Sequence, residues 1–163
     1  MREILFLSHR IPFPPDRGDK IRSHHILKRL ARIAPVHVAT FVDDDADLAE
    51  EAELASLAAS YRVVHRNRPL VVAGLKALLK HRPISLKAFY DVQIADYVAE
   101  TLAKHSISTI FVFSGQMGQY IPESFTGRIV VDFVDADSAK FEAYAEDSRW
   151  PMSWINAREG RLL

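Results

Sequence analysis

The segment Glu3–Arg22, EILFLSHRIPFPPDRGDKIR, contains the order of elements that decides the fold. An apolar strand is predicted over Glu3–Ser8, and a loop rich in proline and arginine continues to Gly18. An amphipathic helix is predicted from Asp19 to Ala34, and a second strand over Val36–Val42. A strand, a helix and a further strand in this order indicate the βαβ unit of a parallel sheet.

Strands and helices alternate along the rest of the chain. We expect further strands over 61–65, 109–114 and 128–134, and further helices over 46–60, 71–80, 91–104 and 138–146. The last two strands are nearly continuous runs of Ile, Val and Phe, which are typical of strands buried on both faces. The pattern predicts an α/β fold, a Rossmann-like doubly wound parallel sheet with helices on both faces. We expect this domain over 1–150 and the start of a connecting helix over 151–163.

Composition excludes several classes of function. The 163 residues include no cysteine, so disulfides, thiolate nucleophiles and cysteine zinc sites are excluded. The formal net charge is zero, which gives no argument for a nucleic-acid partner. No apolar run reaches the roughly 20 residues that span a bilayer, and the N-terminus does not have the pattern of a signal peptide. We therefore expect a cytoplasmic protein.

The loop before the first helix is the first candidate site. Gly18 could simply supply a turn with positive φ, and Asp19 could cap the helix. Alternatively, the backbone at Gly18 could approach an anion at the helix N-terminus, with Lys20 and Arg22 as cationic donors. His9 and Arg10 follow the first strand, and ligands of open α/β sheets bind outside the carboxyl ends of strands. The candidate contacts in this loop are His9, Arg10, Gly18, Asp19, Lys20 and Arg22.

Two further segments follow predicted strands. In Asp135-Ala-Asp137-Ser138, a helix cap with a carboxylate facing the cleft is weighed against a metal-binding pair and a phosphatase-type nucleophile pair. Ser114 ends the predicted fourth strand and Gln116 follows it, and such side chains can bind sugar hydroxyls or simply form a turn. The adjacent His24 and His25 diverge around a helix and are a poor chelating pair, so no metal site is expected.

The segment 69–82 is apolar on one side and ends in Lys80, His81 and Arg82. An interfacial membrane helix has this composition, and so does a surface helix with cations at its C-terminus. In the first alternative, the segment contacts an anionic membrane surface. The protein would then lie at the periphery of the inner membrane.

Two motifs resemble those of a known family. The strand, the long loop and PPDRGDKIRS (14–23), together with VDFVDADS (131–138), are similar to the N-terminal domain of GT-B glycosyltransferases of the family 4 kind. Within that group they resemble the sugar transferases of bacterial exopolysaccharide and PEP-CTERM (exosortase) gene clusters. The resemblance covers essentially the whole chain.

The resemblance implies a retaining, metal-independent transfer of a sugar from a nucleotide-sugar donor to a sugar or lipid-linked acceptor. In this family the N-terminal domain mainly holds the acceptor, and a separate C-terminal domain, absent from these residues, binds the donor. No cofactor is implied, because the nucleotide-sugar is a substrate. Asp135 is the implied catalytic residue, standing where many members have a histidine, and Asp137 is a candidate substrate contact. A non-catalytic Rossmann-like module that binds anions is the alternative function.

Overall fold

The computed structural model describes residues 2–66 and 89–134. Its five strands are β1 (Glu3–Ser8), β2 (Val36–Val42), β3 (Ser60–His65), β4 (Ile107–Phe113) and β5 (Arg128–Asp132). Its α-helices are α1 (Gly18–Ala31), α2 (Asp45–Ala49), α3 (Glu51–Leu57) and α4 (Val92–Lys104). A short 3-10 helix, Gly115–Tyr120, follows β4.

The five strands form one parallel sheet in the order β3-β2-β1-β4-β5. The strand order therefore reverses between β1 and β4, because β2 and β3 lie on one side of β1 while β4 and β5 lie on the other. In open α/β sheets, ligands bind in the crevice at the carboxyl ends of the strands where this reversal occurs.

Helices cover both faces of the sheet, so the predicted α/β fold is confirmed. Leu27 of α1 and Leu54 of α3 pack with Phe6 on one face. Ile94 and Val98 of α4 pack on the other face, together with side chains such as Leu5, Val112 and Met117. Alternate residues of β1 thus enter opposite cores, as the two-residue period of a strand requires.

Several local predictions differ from the structure. The helix predicted over 46–60 is two short helices, with a break at Glu50, and α1 ends at Ala31 rather than at Ala34. The expectation that β5 is buried on both faces is wrong, because Ile129, Val130 and Val131 are exposed. In the described sheet β5 is an edge strand, so its apolar composition does not report burial.

Some predictions fall on residues that the structure does not describe. The helices predicted over 71–80 and 138–146, the segment 69–82, the residues Asp135 and Asp137 and the connecting segment 151–163 lie outside the described residues.

Candidate functional site

The carboxyl ends of β1 and β4 carry the predicted site residues on both sides of the strand reversal. His9 and Arg10 follow β1, and Ser114 follows β4. The His9 ring stacks against Phe113, the last residue of β4, with 5.9 Å between ring centroids. The site at the reversal of strand order therefore combines residues that are about 100 positions apart in the sequence.

The loop that leads into α1 is anchored to the domain. Ile11 and Phe13 are buried in the core beneath α1, and the Ile11 N–H donates to the carbonyl of Phe41 over 2.8 Å. The Phe13 carbonyl accepts a 3.1 Å hydrogen bond from Lys20 Nζ. Pro12, between these two residues, is also buried, so the segment from Ile11 to Phe13 is packed and supports the first turn of α1.

Lys20, predicted to contact an anion, has protein partners instead. Its side chain is 1% exposed, and its ammonium group pairs with the Asp47 carboxylate of α2. Burial would raise the pKa of Asp47, but the hydrogen bonds from Lys20 and from the Asp43 N–H outweigh this effect and hold it below its usual value. A ligand could reach Lys20 only after this pair had separated.

Arg10 lies between two carboxylates. Its Nη1 is 3.0 Å from Asp19 Oδ2, and its Nε is 2.8 Å from Asp43 Oδ2. Asp43 also pairs with Arg66 over 2.9 Å. Burial would raise the pKa of Asp19, but the Arg10 guanidinium outweighs this effect and the pKa lies below its usual value. The charges of the first loop are therefore largely balanced within the protein.

His9 adds a titratable ring beside Asp19. Its Nε2 lies 3.4 Å from Asp19 Oδ2, and the side chain is 12% exposed. Burial lowers the pKa of His9, the Arg10 cation acts in the same direction, and the nearby Asp19 only partly opposes them. The lowered pKa favours the neutral ring at neutral pH. A neutral imidazole has one nitrogen that donates a hydrogen bond and one that accepts, so it can bind a hydroxyl group in either role.

Arg22 and Asp132 connect α1 to the end of β5. Arg22 Nη2 lies 2.9 Å from Asp132 Oδ2, and the Arg22 side chain is largely exposed. Asp132 is the last residue of β5 and lies three positions before Asp135, which is outside the described residues. The pair forms a polar contact at the carboxyl ends of the strands, which we call the carboxyl edge of the sheet, on the side of β5.

Ser114 occupies a strained position at the end of β4. Its φ is 82°, a region that L residues rarely adopt, and its N–H donates to the Asp132 carbonyl over 2.8 Å. The Ser114 hydroxyl donates to the Gln116 side-chain oxygen. Such strain is often found at functional sites, where the surrounding structure holds it in place. Ser114 and Gln116 are thus brought together, and both lie near the end of β5.

Gly18 is the first residue of α1, and its φ is not positive. The alternative in which it supplies a left-handed turn is therefore wrong. Asp19 does not cap the helix, because the N-cap residue is Arg17 and no side chain provides a cap. A Cβ placed on Gly18 would meet no atom within 4 Å, so the fold itself does not require glycine there.

Three functional candidates were missed by sequence reasoning. Asp43, Asp47 and Asp132 all pair with predicted site cations. Asp43 directly follows β2, and Asp47 lies in α2, where its N–H donates to the N-cap side chain of Asp44. Their position at the carboxyl end of β2, next to β1, was the signal that could have identified Asp43 as a neighbour of Arg10.

One pocket lined by described residues lies away from this site. It has a volume of about 560 Å³ and is lined by residues such as Leu102, Ile107, Phe125 and Gly127. Ile107 begins β4 and Gly127 precedes β5, so this pocket is at the amino ends of the strands. Among the residues described, no helix has the length and apolar character needed to cross a membrane.

Comparison of the chain with models of protein families, with curated proteins and with solved structures found no match. The site is therefore defined by its geometry alone: paired charges, a neutral imidazole and a strained serine at the reversal of strand order.

Proposed function

We propose that this chain is the acceptor-binding, N-terminal domain of a retaining, metal-independent glycosyltransferase that uses a nucleotide-sugar donor. We place it in bacterial exopolysaccharide or glycoconjugate synthesis, on the resemblance of its two motifs. The observation that carries the proposal is the pairing of cations with carboxylates at the carboxyl edge of the sheet.

That pairing favours a ligand rich in hydroxyl groups over a simple anion. An anion would have to compete with Asp19 and Asp43 for Arg10, and with Asp132 for Arg22. A hydroxyl group both donates and accepts, so it can bind a carboxylate and a guanidinium together without displacing either. Sugars present several such groups, and buried hydrogen bonds to charged partners each contribute about 1.5–3 kcal/mol.

An exposed aromatic ring lies beside these polar groups. Phe133 follows β5, its side chain is 65% exposed, and its ring lies against Gly115. Ligand sites commonly combine aromatic surfaces with a few polar groups, and Phe133 offers such a surface beside Ser114 and Asp132. We assign Phe133 to the apolar face of the acceptor sugar ring.

The proposed roles follow from these positions. Asp19, His9 and Ser114 hydrogen-bond acceptor hydroxyls, while Arg10 and Arg22 hold the neighbouring carboxylates in place. Asp135, outside the described residues, orients or deprotonates the reacting hydroxyl, as a carboxylate within hydrogen-bond reach can. The donor diphosphate approaches the open space beside Gly18 at the N-terminus of α1.

The test uses the product of the complete reading frame and a panel of nucleotide-sugars, with sugar transfer and donor hydrolysis as readouts. Phe133→Ala should raise the acceptor KM at least severalfold while the melting temperature changes little, because the ring is mostly exposed. Gly18→Ala should leave stability unchanged or slightly higher but weaken donor binding, since the added methyl group fills space that only a ligand would need.

Lys104→Met provides a control, because Lys104 lies on α4 in an exposed pair with Glu100. Transfer by this variant should equal that of the wild type. The proposal is wrong if the complete protein turns over none of the nucleotide-sugars, or if Phe133→Ala and Gly18→Ala transfer sugar as well as Lys104→Met.

The alternative is a non-catalytic module that binds anions. It predicts that phosphate or pyrophosphate binds this chain and that no sugar is transferred. A reading frame that encodes a second α/β domain after Leu163 favours the transferase, whereas tight phosphate binding without transfer favours the module.

A further inference from the structure

Three potential metal ligands meet at the amino ends of the strands, at the opposite end of the sheet from the proposed acceptor site. Glu3 begins β1, His37 is the second residue of β2, and His105 follows α4 just before β4. One ligand atom from each lies within 4.8 Å of the others. We refer to these three residues as the Glu3 cluster.

The cluster is compact and reaches the surface on one side. Glu3 Oε2 lies 2.6 Å from His37 Nε2 and 3.0 Å from His105 Nδ1. The two imidazole rings are 4.1 Å apart between centroids. His37 is 2% exposed and His105 38% exposed, so one ligand is fixed in the interior while another borders solvent.

These distances are close to those of a zinc site. Zinc binds histidine nitrogen and carboxylate oxygen at about 2.0–2.2 Å in tetrahedral geometry, so two ligand atoms lie about 3.3 Å apart. To receive the ion, the Glu3–His37 pair at 2.6 Å would open by about 0.7 Å and the Glu3–His105 pair at 3.0 Å by about 0.3 Å. A set of two imidazoles and one carboxylate is a known type of zinc ligand set, with a fourth position left for water.

The buried histidine also has the outer partners of a metal ligand. A metal-binding histidine usually gives its second ring N–H to a fixed acceptor, which sets its tautomer. His37 Nδ1 lies 2.7 Å from Ser60 Oγ, and Ser60 Oγ lies 2.6 Å from the Tyr97 hydroxyl. The 2.6 Å contact between His37 Nε2 and Glu3 Oε2 requires a proton on Nε2. A zinc ion would take the place of that proton, with Nδ1 then donating to Ser60.

We propose that Glu3, His37 and His105 bind one Zn²⁺ ion that connects β1, β2 and the end of α4. β1 separates this site from His9 by six residues, or about 20 Å of extended chain. The ion would therefore take no part in sugar transfer, and its role would be to stabilise the domain. The inference is independent of the proposed function.

The test is zinc titration of the chain, followed by calorimetry and by the visible absorption of Co²⁺ as a substitute ion. One equivalent should bind, and the melting temperature should rise by about 5–10 °C at free zinc 100 times the dissociation constant. Glu3→Gln and His105→Ala should each weaken binding more than tenfold. Ser60→Ala should weaken it about 10–100-fold through the outer partner of His37.

His25→Gln is the matched control, because His25 is exposed beside His24 on α1 and could bind zinc adventitiously. This variant should bind zinc as the wild type does. The proposal is overturned if the wild type shows no saturable binding, if Glu3→Gln and His105→Ala bind zinc unchanged, or if His25→Gln abolishes binding. In those cases the Glu3 cluster is a hydrogen-bonded group without a metal.

Discussion

Replacement of Lys20 by methionine should destabilise the domain far more than loss of an ordinary ion pair. Lys20 is 1% exposed and Asp47 7% exposed, and the ammonium also binds the Phe13 carbonyl. Methionine fills a similar volume but leaves the Asp47 carboxylate buried, with the Asp43 N–H as its remaining described donor. Removal of one partner from a buried pair typically destabilises a protein by about 3–5 kcal/mol.

The exposed pair Lys104–Glu100 gives a matched comparison within the same chain. Its atoms are 3.1 Å apart at an i, i+4 spacing, but its side chains are 67% and 65% exposed. Pairs of this kind contribute about 0.3–0.5 kcal/mol. Lys104→Met should therefore change the free energy of unfolding by no more than about 0.5 kcal/mol.

Urea unfolding followed by circular dichroism measures these differences. For a chain of this length, 3–5 kcal/mol corresponds to a fall in melting temperature of roughly 6–20 °C. Asp47→Asn should also be strongly destabilising, because it leaves the Lys20 ammonium without a counterion. The double variant should lose at least about 1 kcal/mol less than the sum of the two single losses, since neither charge is then left alone.

Two results would refute this reasoning. Additive losses in the double variant would show that the two charges are not coupled. A Lys20→Met protein with wild-type stability but weaker binding of phosphate or nucleotide-sugar would show that Lys20 serves the ligand rather than the fold, as the sequence alone indicates.

Three further predictions concern residues at the carboxyl edge. Because the pKa of Asp19 is lowered, its contribution to stability is present above the unfolded value of about 3.9 and is lost as pH falls through the folded pKa. In urea unfolding, Asp19→Asn should therefore lose less stability than the wild type as the pH falls below about 4. The pKa of His9 is lowered by burial, so the unfolded chain takes up a proton more readily below about pH 6.5. Wild type should therefore lose more stability than His9→Gln between pH 7.5 and 5.5, and equal losses would exclude a buried neutral ring. Ser114→Gly should melt higher than Ser114→Ala, by an amount equivalent to about 1 kcal/mol, because only glycine relieves the strain at φ 82°; the reverse order would contradict strain at this position.

Strand positions were the most predictable part of the fold. The predicted bounds of β1 and β2 agree with the structure, because both are short apolar runs between clear breaks. The break in the helix predicted over 46–60 was not predictable, since no Gly or Pro marks Glu50. The exposure of β5 was not predictable either, because composition cannot say whether a strand has a neighbour on its outer side.

The position of the candidate residues in the fold was predictable, but their contacts were not. His9, Arg10 and Ser114 were expected at the carboxyl edge because each follows a strand, and the structure brings them to the reversal of strand order. The partners of the cations were not expected. Arg10 meets Asp43 across 33 residues and Lys20 meets Asp47 across 27, and no local pattern encodes such pairs.

By itself, the sequence determined the class of fold, because hydrophobic periodicity and the alternation of strands and helices depend on neighbours a few residues apart. It also determined which residues follow strands and so face the edge where ligands bind. Only the tertiary structure decided which charges are available to a ligand, because Asp19, Asp43, Asp47 and Asp132 reach the site from separate elements. The Glu3 cluster was decided in the same way, since residues 3, 37 and 105 meet only when parallel strands align their amino ends.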